Sequence, residues 1–168
     1  MLIVGRPRGF DEEMVTAEAA ALFTTRAYDG VGVDDLVRHL GVHRNSLYKT
    51  FGSKRGLYLA ALHWHISHAL QPLIDRLHSG RDAEQFLDNV IQKGDLDLLL
   101  LAAVERAPAD AEVAAVVARA LQLLEQALDD VPILRSGRTT GITPSELLGE
   151  RLRVRVMSAH AGTAASAG

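Results

Sequence analysis

Residues 33–54 read Val33-Asp34-Asp35-Leu36-Val37-Arg38-His39-Leu40-Gly41-Val42-His43-Arg44-Asn45-Ser46-Leu47-Tyr48-Lys49-Thr50-Phe51-Gly52-Ser53-Lys54. Val33, Leu36, Val37 and Leu40 fall at helical spacing and make one apolar face. Asp34 and Asp35 stand in the first turn, where carboxylates suit the helix dipole. Gly41 follows at the position where a left-handed residue is least costly. After a short turn a second helix is expected from Arg44 to Thr50, with Leu47 and Phe51 turned inward. Two short helices joined at a sharp angle through a glycine describe a helix-turn-helix. The outer face of the second helix carries basic and amide side chains, which is what a major groove needs. Arginine pairs with guanine, asparagine with adenine, and lysine or tyrosine holds phosphate. The DNA-contact set is therefore Arg44, Asn45, Ser46, Tyr48, Lys49 and Thr50, with His43 before the helix and Lys54 after it.

Working outward, Asp11 caps a preceding helix whose Val15, Ala19, Leu22 and Phe23 share a face, and Tyr28-Asp29-Gly30 ends it. Upstream, Gly5 to Gly9 reads equally as a basic arm, with Arg6 and Arg8 reaching phosphate or a minor groove, or as a plain disordered tail. The apolar start Met1-Leu2-Ile3-Val4 is cut off by Gly5-Arg6-Pro7-Arg8, too soon for a signal peptide.

Together, Gly41 to Lys54, with Phe23, Tyr28 and Asp34-Asp35-Leu36 before them, resemble the N-terminal domain of TetR-family transcriptional regulators. The match runs from about Gly5 to Leu62, with glycine, apolar, tyrosine and lysine positions all in register. Two positions depart from the family. Gly32 stands where Ser or Thr usually caps the next helix, at a cost of a few tenths of a kcal/mol. His43 replaces a common Ser or Thr, and either a neutral cap or a phosphate donor suits it.

The resemblance implies an all-α protein: a three-helix DNA-binding domain over residues 1–52, then a helical ligand-binding and dimerisation domain over 53–160. Residues 161–168, small and polar, read as a disordered tail. Family members bind a palindromic double-stranded operator as homodimers and leave it when a small effector binds. A repressor released by a mainly apolar ligand is the implied function. The alternative is a helical interaction protein that keeps the fold without ligand response or with altered dimerisation.

Composition agrees with this class. The chain of 168 residues is 48% hydrophobic and 23% charged, ordinary for a soluble globular protein. It has no cysteine, which excludes a disulfide framework, a cysteine zinc site and a thiol redox sensor. No run approaches the ~20 apolar residues that span a bilayer, so a cytoplasmic protein without membrane partners is expected. The net charge of −3 is uneven: residues 1–58 hold eight Lys or Arg against seven Asp or Glu. Nonspecific DNA affinity should accordingly be modest. No nucleophile elbow, phosphate-cradling glycine loop or paired carboxylates appear, so no enzyme and no cofactor are expected.

In the second half Ser53 caps a helix along Leu57, Ala61, Trp64 and His68, which Pro72 should end or kink. His63, Trp64, His65 and His68 cluster there. Metal binding through His65 and His68 lacks completing ligands, which leaves a polar handle in an apolar pocket or ordinary packing. Ser79-Gly80 reads as a turn, and Asp82 caps a helix with Phe86, Leu87, Val90 and Ile91. Leu96 to Val104 is a nearly all-apolar central helix, closed by Glu105-Arg106-Ala107-Pro108. Related regulators often have Gly-Cys at Leu96-Asp97 and a polar residue near Leu101, so a greasier interior is expected here. Asp110 caps a long amphipathic helix along Val113, Val117, Ala120, Leu121, Leu124 and Leu128. A loop spans Val131 to Gly141, and Thr143-Pro144-Ser145-Glu146 opens a last helix with Leu148, Leu152 and Val156 on one face. Arg151 to Val156 also alternates like a strand, but the caps favour helix. By the resemblance, Trp64, His68, Leu98 and Leu101 line the ligand site. The resemblance weakens at this end: the family usually closes with two long helices that pair in a four-helix bundle, and the final one here looks short.

Overall fold

A computed structural model describes residues 10–79, 83–130 and 143–165, and every regular element among them is a helix. The expected basic arm with Arg6 and Arg8, the Asp82 cap with Gly80, and the loop over 131–141 lie outside these residues. The chain divides into two compact units, Met1–His65 and Ile66–Gly168.

The first unit contains α1 (Glu12–Thr25), α2 (Val33–Leu40), α3 (Arg44–Phe51) and α4 (Lys54–His65). Asp11 caps α1 by accepting from the backbone N–H groups of Glu13 and Met14, at 3.0 and 3.3 Å. Val15, Ala19, Leu22 and Phe23 are all buried, as their spacing requires. Helix α1 lies along α4, whose buried Leu57, Tyr58, Ala61 and Leu62 complete the core. Each large apolar side chain taken fully out of water here contributes ~1.5–3 kcal/mol. Because α4 packs with α1, it lies in this compact unit.

The second unit begins with a π turn, Ile66–Leu70, followed by α5 (Gln71–His78). Pro72 sits in the first turn of α5, where a missing N–H is tolerated, so helix resumes after the π turn instead of stopping. After α6 (Ala83–Lys93), the apolar run forms α7 (Asp97–Leu101), a second π turn (Ala102–Arg106) and a 3₁₀ turn (Ala107–Ala109). Leu96, Leu98, Leu99 and Leu100 are buried. Asp110 then caps α8 (Ala111–Asp129) through the Glu112 and Val113 N–H groups, 3.1 and 3.3 Å away. Val113, Val117, Ala120, Leu124, Ala127 and Leu128 are its buried face, with Leu121 half-buried.

The last helix, α9 (Pro144–Ala165), opens with the expected capping box. Thr143 Oγ1 accepts from the Glu146 N–H (3.2 Å), and Glu146 accepts in return from the Thr143 N–H (2.8 Å). Two expectations change beyond this turn. The helix continues to Ala165, so the tail expected from Ala161 begins inside it. Its buried face is Pro144, Leu147, Leu148 and Arg151, whereas Leu152 (44% exposed) and Val156 (58%) point outward with Met157 (61%). The inward line steps from Leu147 and Leu148 to an arginine because a carboxylate waits there.

That carboxylate is Asp97. Arg151 donates to it twice, Nε to Oδ1 at 2.6 Å and Nη2 to Oδ2 at 2.9 Å. Its Nη1 donates to the carbonyls of Ile91 (2.7 Å) and Gln92 (3.0 Å) near the end of α6. Arg155 adds a third bond to Asp97 at 2.9 Å. The carboxylate's hydrogen bonds, opposed by burial, raise the Arg151 pKa further above its ordinary value. The interior of this unit thus holds an ionic junction of α6, α7 and α9, and a buried Asp110 paired with Arg106, contrary to the greasier interior expected. Gly94, at φ +86°, is the residue that leaves room for it. A Cβ there would stand 2.8 Å from Arg151 Nη2 and 3.1 Å from Asp97 Oδ2.

Candidate nucleic-acid interface

Helix α3 is short, and two glycines bracket it. Gly41 ends α2 at φ 64°, and Gly52 ends α3 at φ 73°. Both conformations are in the left-handed region that a side chain disfavours. Between them, Leu47 is fully buried and Phe51 half-buried against Phe10, ring centroids 6.4 Å apart. These contacts pin one side of α3. The other side carries Arg44, Asn45, Tyr48, Lys49 and Thr50, all exposed, with Ser46 half-buried at the edge. His43 is exposed at the N-cap position and makes no side-chain capping bond, which removes the cap reading left open by its sequence.

The residues around α3 set its position. On α2, Asp35 serves its own helix: its Oδ2 accepts from the Gly32 N–H at 3.0 Å, while Gly32 itself supplies no side-chain cap. Its Oδ1 accepts from Arg38 at 3.3 Å. Asp34, one residue earlier, instead accepts from Arg44 Nη2, ten residues away on α3. This hydrogen bond, and then the carboxylate's charge, raises the Arg44 pKa, so the guanidinium stays charged under all practical conditions. The pairing of Asp34 with Arg44 carries no periodicity signal, and sequence reasoning missed it.

Lys54, at the start of α4, lies with its Nζ 4.1 Å from the centroid of the Tyr28 ring, a cation–π contact. Tyr28 in turn meets Tyr58 edge-on at 4.9 Å, and Tyr58 meets Phe23 edge-on at 5.0 Å. The aromatic cluster therefore positions the first turn of α4. Gly56 allows α4 to approach α3 closely. A Cβ on it would lie 2.0 Å from the Phe51 carbonyl oxygen, an impossible contact. Ser53 caps the same turn, accepting from the Gly56 N–H at 3.0 Å.

The expected ligand residues differ in burial. Leu98 is fully buried among its neighbours, Leu101 and Trp64 are half-buried, and His68 is exposed. A shallow groove in the first unit is lined by Leu22, Arg26, Asp35, Arg38 and His39, none of them in that set. Among the described residues no group of three His, Cys, Asp or Glu is placed to hold a metal ion. No described helix is long and apolar enough to cross a membrane.

Comparison with known proteins bears on the same segment. The family of bacterial regulatory proteins, tetR family, matches residues 15–61, which span α1 to α4. The chain is 30% identical over 134 residues to YezE of Bacillus subtilis, an uncharacterized HTH-type transcriptional regulator, covering 74% of this chain and 69% of that one. It is 34% identical over 91 residues to the HTH-type transcriptional repressor BdcR of Escherichia coli, covering 54% of this chain and 46% of BdcR. Among solved structures, a cysteine mutant of the TetR family transcriptional regulator CifR, complexed with 26-bp double-strand operator DNA, has a similar fold. Its TM-score is 0.61 at 20% identity, over 91% of each chain.

Proposed function

The chain belongs to the TetR family of DNA-binding transcriptional regulators, and from that premise we propose a one-component repressor that reads a palindromic operator as a homodimer. The observation that carries this reading is the single polar face of α3, with Arg44, Asn45, Tyr48, Lys49 and Thr50 exposed and Leu47 locking the opposite side into the core. Arg44 and Asn45, in the first turn, are the base-reading candidates, since arginine suits guanine and asparagine suits adenine. Lys49, Tyr48, Thr50, Ser46, His43 and Lys54 serve phosphate, fixing register without reading sequence. Repression is supported by the similarity to BdcR, itself a repressor.

Dimer formation is supported by the outward apolar stripe of Leu152, Val156 and Met157 on α9, which a second copy would cover. Two reading helices must sit about one DNA turn apart, ~34–36 Å, to enter successive major grooves. A ligand held in the second unit that favours another spacing would shift the population off the operator. A small, mainly apolar effector near His68, Leu98 and Leu101 fits that scheme. The protein acts in the cytoplasm and carries out no catalysis.

Selection of binding sites from random duplex DNA tests the reading. A short palindrome bound more weakly as salt rises is the expected result. Arg44→Ala and Lys49→Ala should each weaken binding to it with the fold intact by circular dichroism. Unchanged affinity in both variants would remove α3 from the interface.

A further inference from the structure

We propose that Asp34 is a specificity-determining residue, which holds Arg44 back from phosphate on non-operator DNA while leaving it available to a base in the operator. The proposal rests on the reading of α3 as the DNA-contacting helix. It begins from the division of labour between two neighbouring carboxylates. Asp35 is committed to the Gly32 N–H and to Arg38 within its own helix. Asp34 projects to α3, where it accepts from Nη2 of Arg44, and both side chains remain open to solvent (78% and 49% exposed).

The pair acts differently on two kinds of DNA. Nonspecific affinity comes from cations that displace condensed counterions from phosphates. An arginine already neutralised by a carboxylate releases fewer counterions, and moving it onto a phosphate brings Asp34 close to that phosphate. The helix has few cations to spare, since Arg44 and Lys49 are its only two. A guanine edge imposes no such conflict. It is uncharged, it accepts through O6 and N7, and a guanidinium has five N–H donors in a planar fork. Asp34 can keep one of these donors and steady the fork while others face the base. Asp34 thus lowers affinity for arbitrary DNA more than affinity for the operator.

The test uses full-length protein, the selected operator and a scrambled duplex of equal length, with affinities measured from 50 to 200 mM salt. Four variants are compared: Asp34→Asn, Asp34→Glu, Arg44→Gln and the Asp34→Asn/Arg44→Gln double. Asp34→Asn should tighten scrambled DNA severalfold at low salt and steepen the salt slope by ~0.9. That slope change means the gain shrinks about 3.5-fold across a fourfold rise in salt. Operator affinity should change less, so the operator-to-scrambled ratio falls, and Asp34→Glu should keep the ratio. In the Arg44→Gln background the Asp34→Asn change should leave the slope alone, because the pair no longer exists. Equal tightening in that background would mean a diffuse charge effect and overturn the proposal. So would binding that depends on Arg44 but ignores Asp34→Asn. An Arg44→Gln variant that binds the operator like wild type overturns the reading of α3, and the proposal with it.

Discussion

Replacing Arg151 by methionine should destabilise the second unit substantially without unfolding it. The arginine is buried, and its guanidinium makes two bonds to Asp97 and two to the carbonyls of Ile91 and Gln92. Methionine fills similar space but leaves Asp97, whose side chain is 12% exposed, with Arg155 as its remaining charged partner. Breaking a buried ion pair by removing one partner costs ~3–5 kcal/mol, and retention of Arg155 places the expected loss at the lower end, ~3 kcal/mol. Against a typical total of ~5–15 kcal/mol this is a large fraction. Urea unfolding followed by circular dichroism should show a midpoint lower by ~1–3 M. The companion variant Asp97→Leu/Arg151→Met removes both charges, lets Arg155 turn to solvent, and should return to within ~1 kcal/mol of wild type. Hydrogen exchange should locate the single-variant loss in α7 and α9. A loss under ~1 kcal/mol for Arg151→Met, or a double variant as unstable as the single, would refute the claim that this ionic junction fastens α9.

Three other perturbations test separate parts of the molecule. Gly56→Ala must push the end of α3 from α4 by ~1 Å, since its Cβ would meet the Phe51 carbonyl oxygen at 2.0 Å; an overpacking cost of ~1–3 kcal/mol is expected, with weaker operator binding, and unchanged melting and binding would show that the approach is not tight. Val156→Glu places a charge in the exposed stripe of α9 and should convert a dimer to monomers in sedimentation, whereas an unaltered dimer would move the interface elsewhere. Glu146 accepts from the backbone and side chain of Thr143, which lowers its pKa. A carboxylate depressed in the folded state contributes stability above its ordinary range and loses it as pH falls through the depressed value. Protection factors of the amides in the first turn of α9, referred to the intrinsic exchange rate at each pH, should therefore fall in acid, and Glu146→Gln should abolish that pH dependence.

What could be read from the chain before folding follows a physical division. The all-helical class, the turn through Gly41 and the caps at Asp11, Ser53, Asp110 and Thr143 were legible because each depends on residues within about four positions. The buried faces of α1 and α8 were legible because one strong period dominates each. The face of α9 was misjudged, with Leu152 and Val156 taken as inward, since two apolar lines compete on that helix and only the position of Asp97 decides between them. A signal did exist: a carboxylate inside the run Leu96 to Leu101 needs a partner, and Arg151 lies one turn beyond Leu147 and Leu148. The two π turns and the Asp34–Arg44 pair left no such trace. The exposed residues of α3 were legible from their offsets to Leu47, whereas the positions of Leu98 and His68 depend on packing that periodicity does not encode.

The bracketing of α3 by two glycines, with Leu47 and Phe51 as its anchors, bears on how such a protein diversifies. Nothing on the outer surface of that helix supports the core, so its letters can be rewritten by mutation at little cost to folding. New target sequences then become accessible one substitution at a time, without a compensating change elsewhere. Position 44 is the exception. Because its side chain is shared with Asp34, drift at either site constrains the other, and descendants of this gene should change the two together or neither.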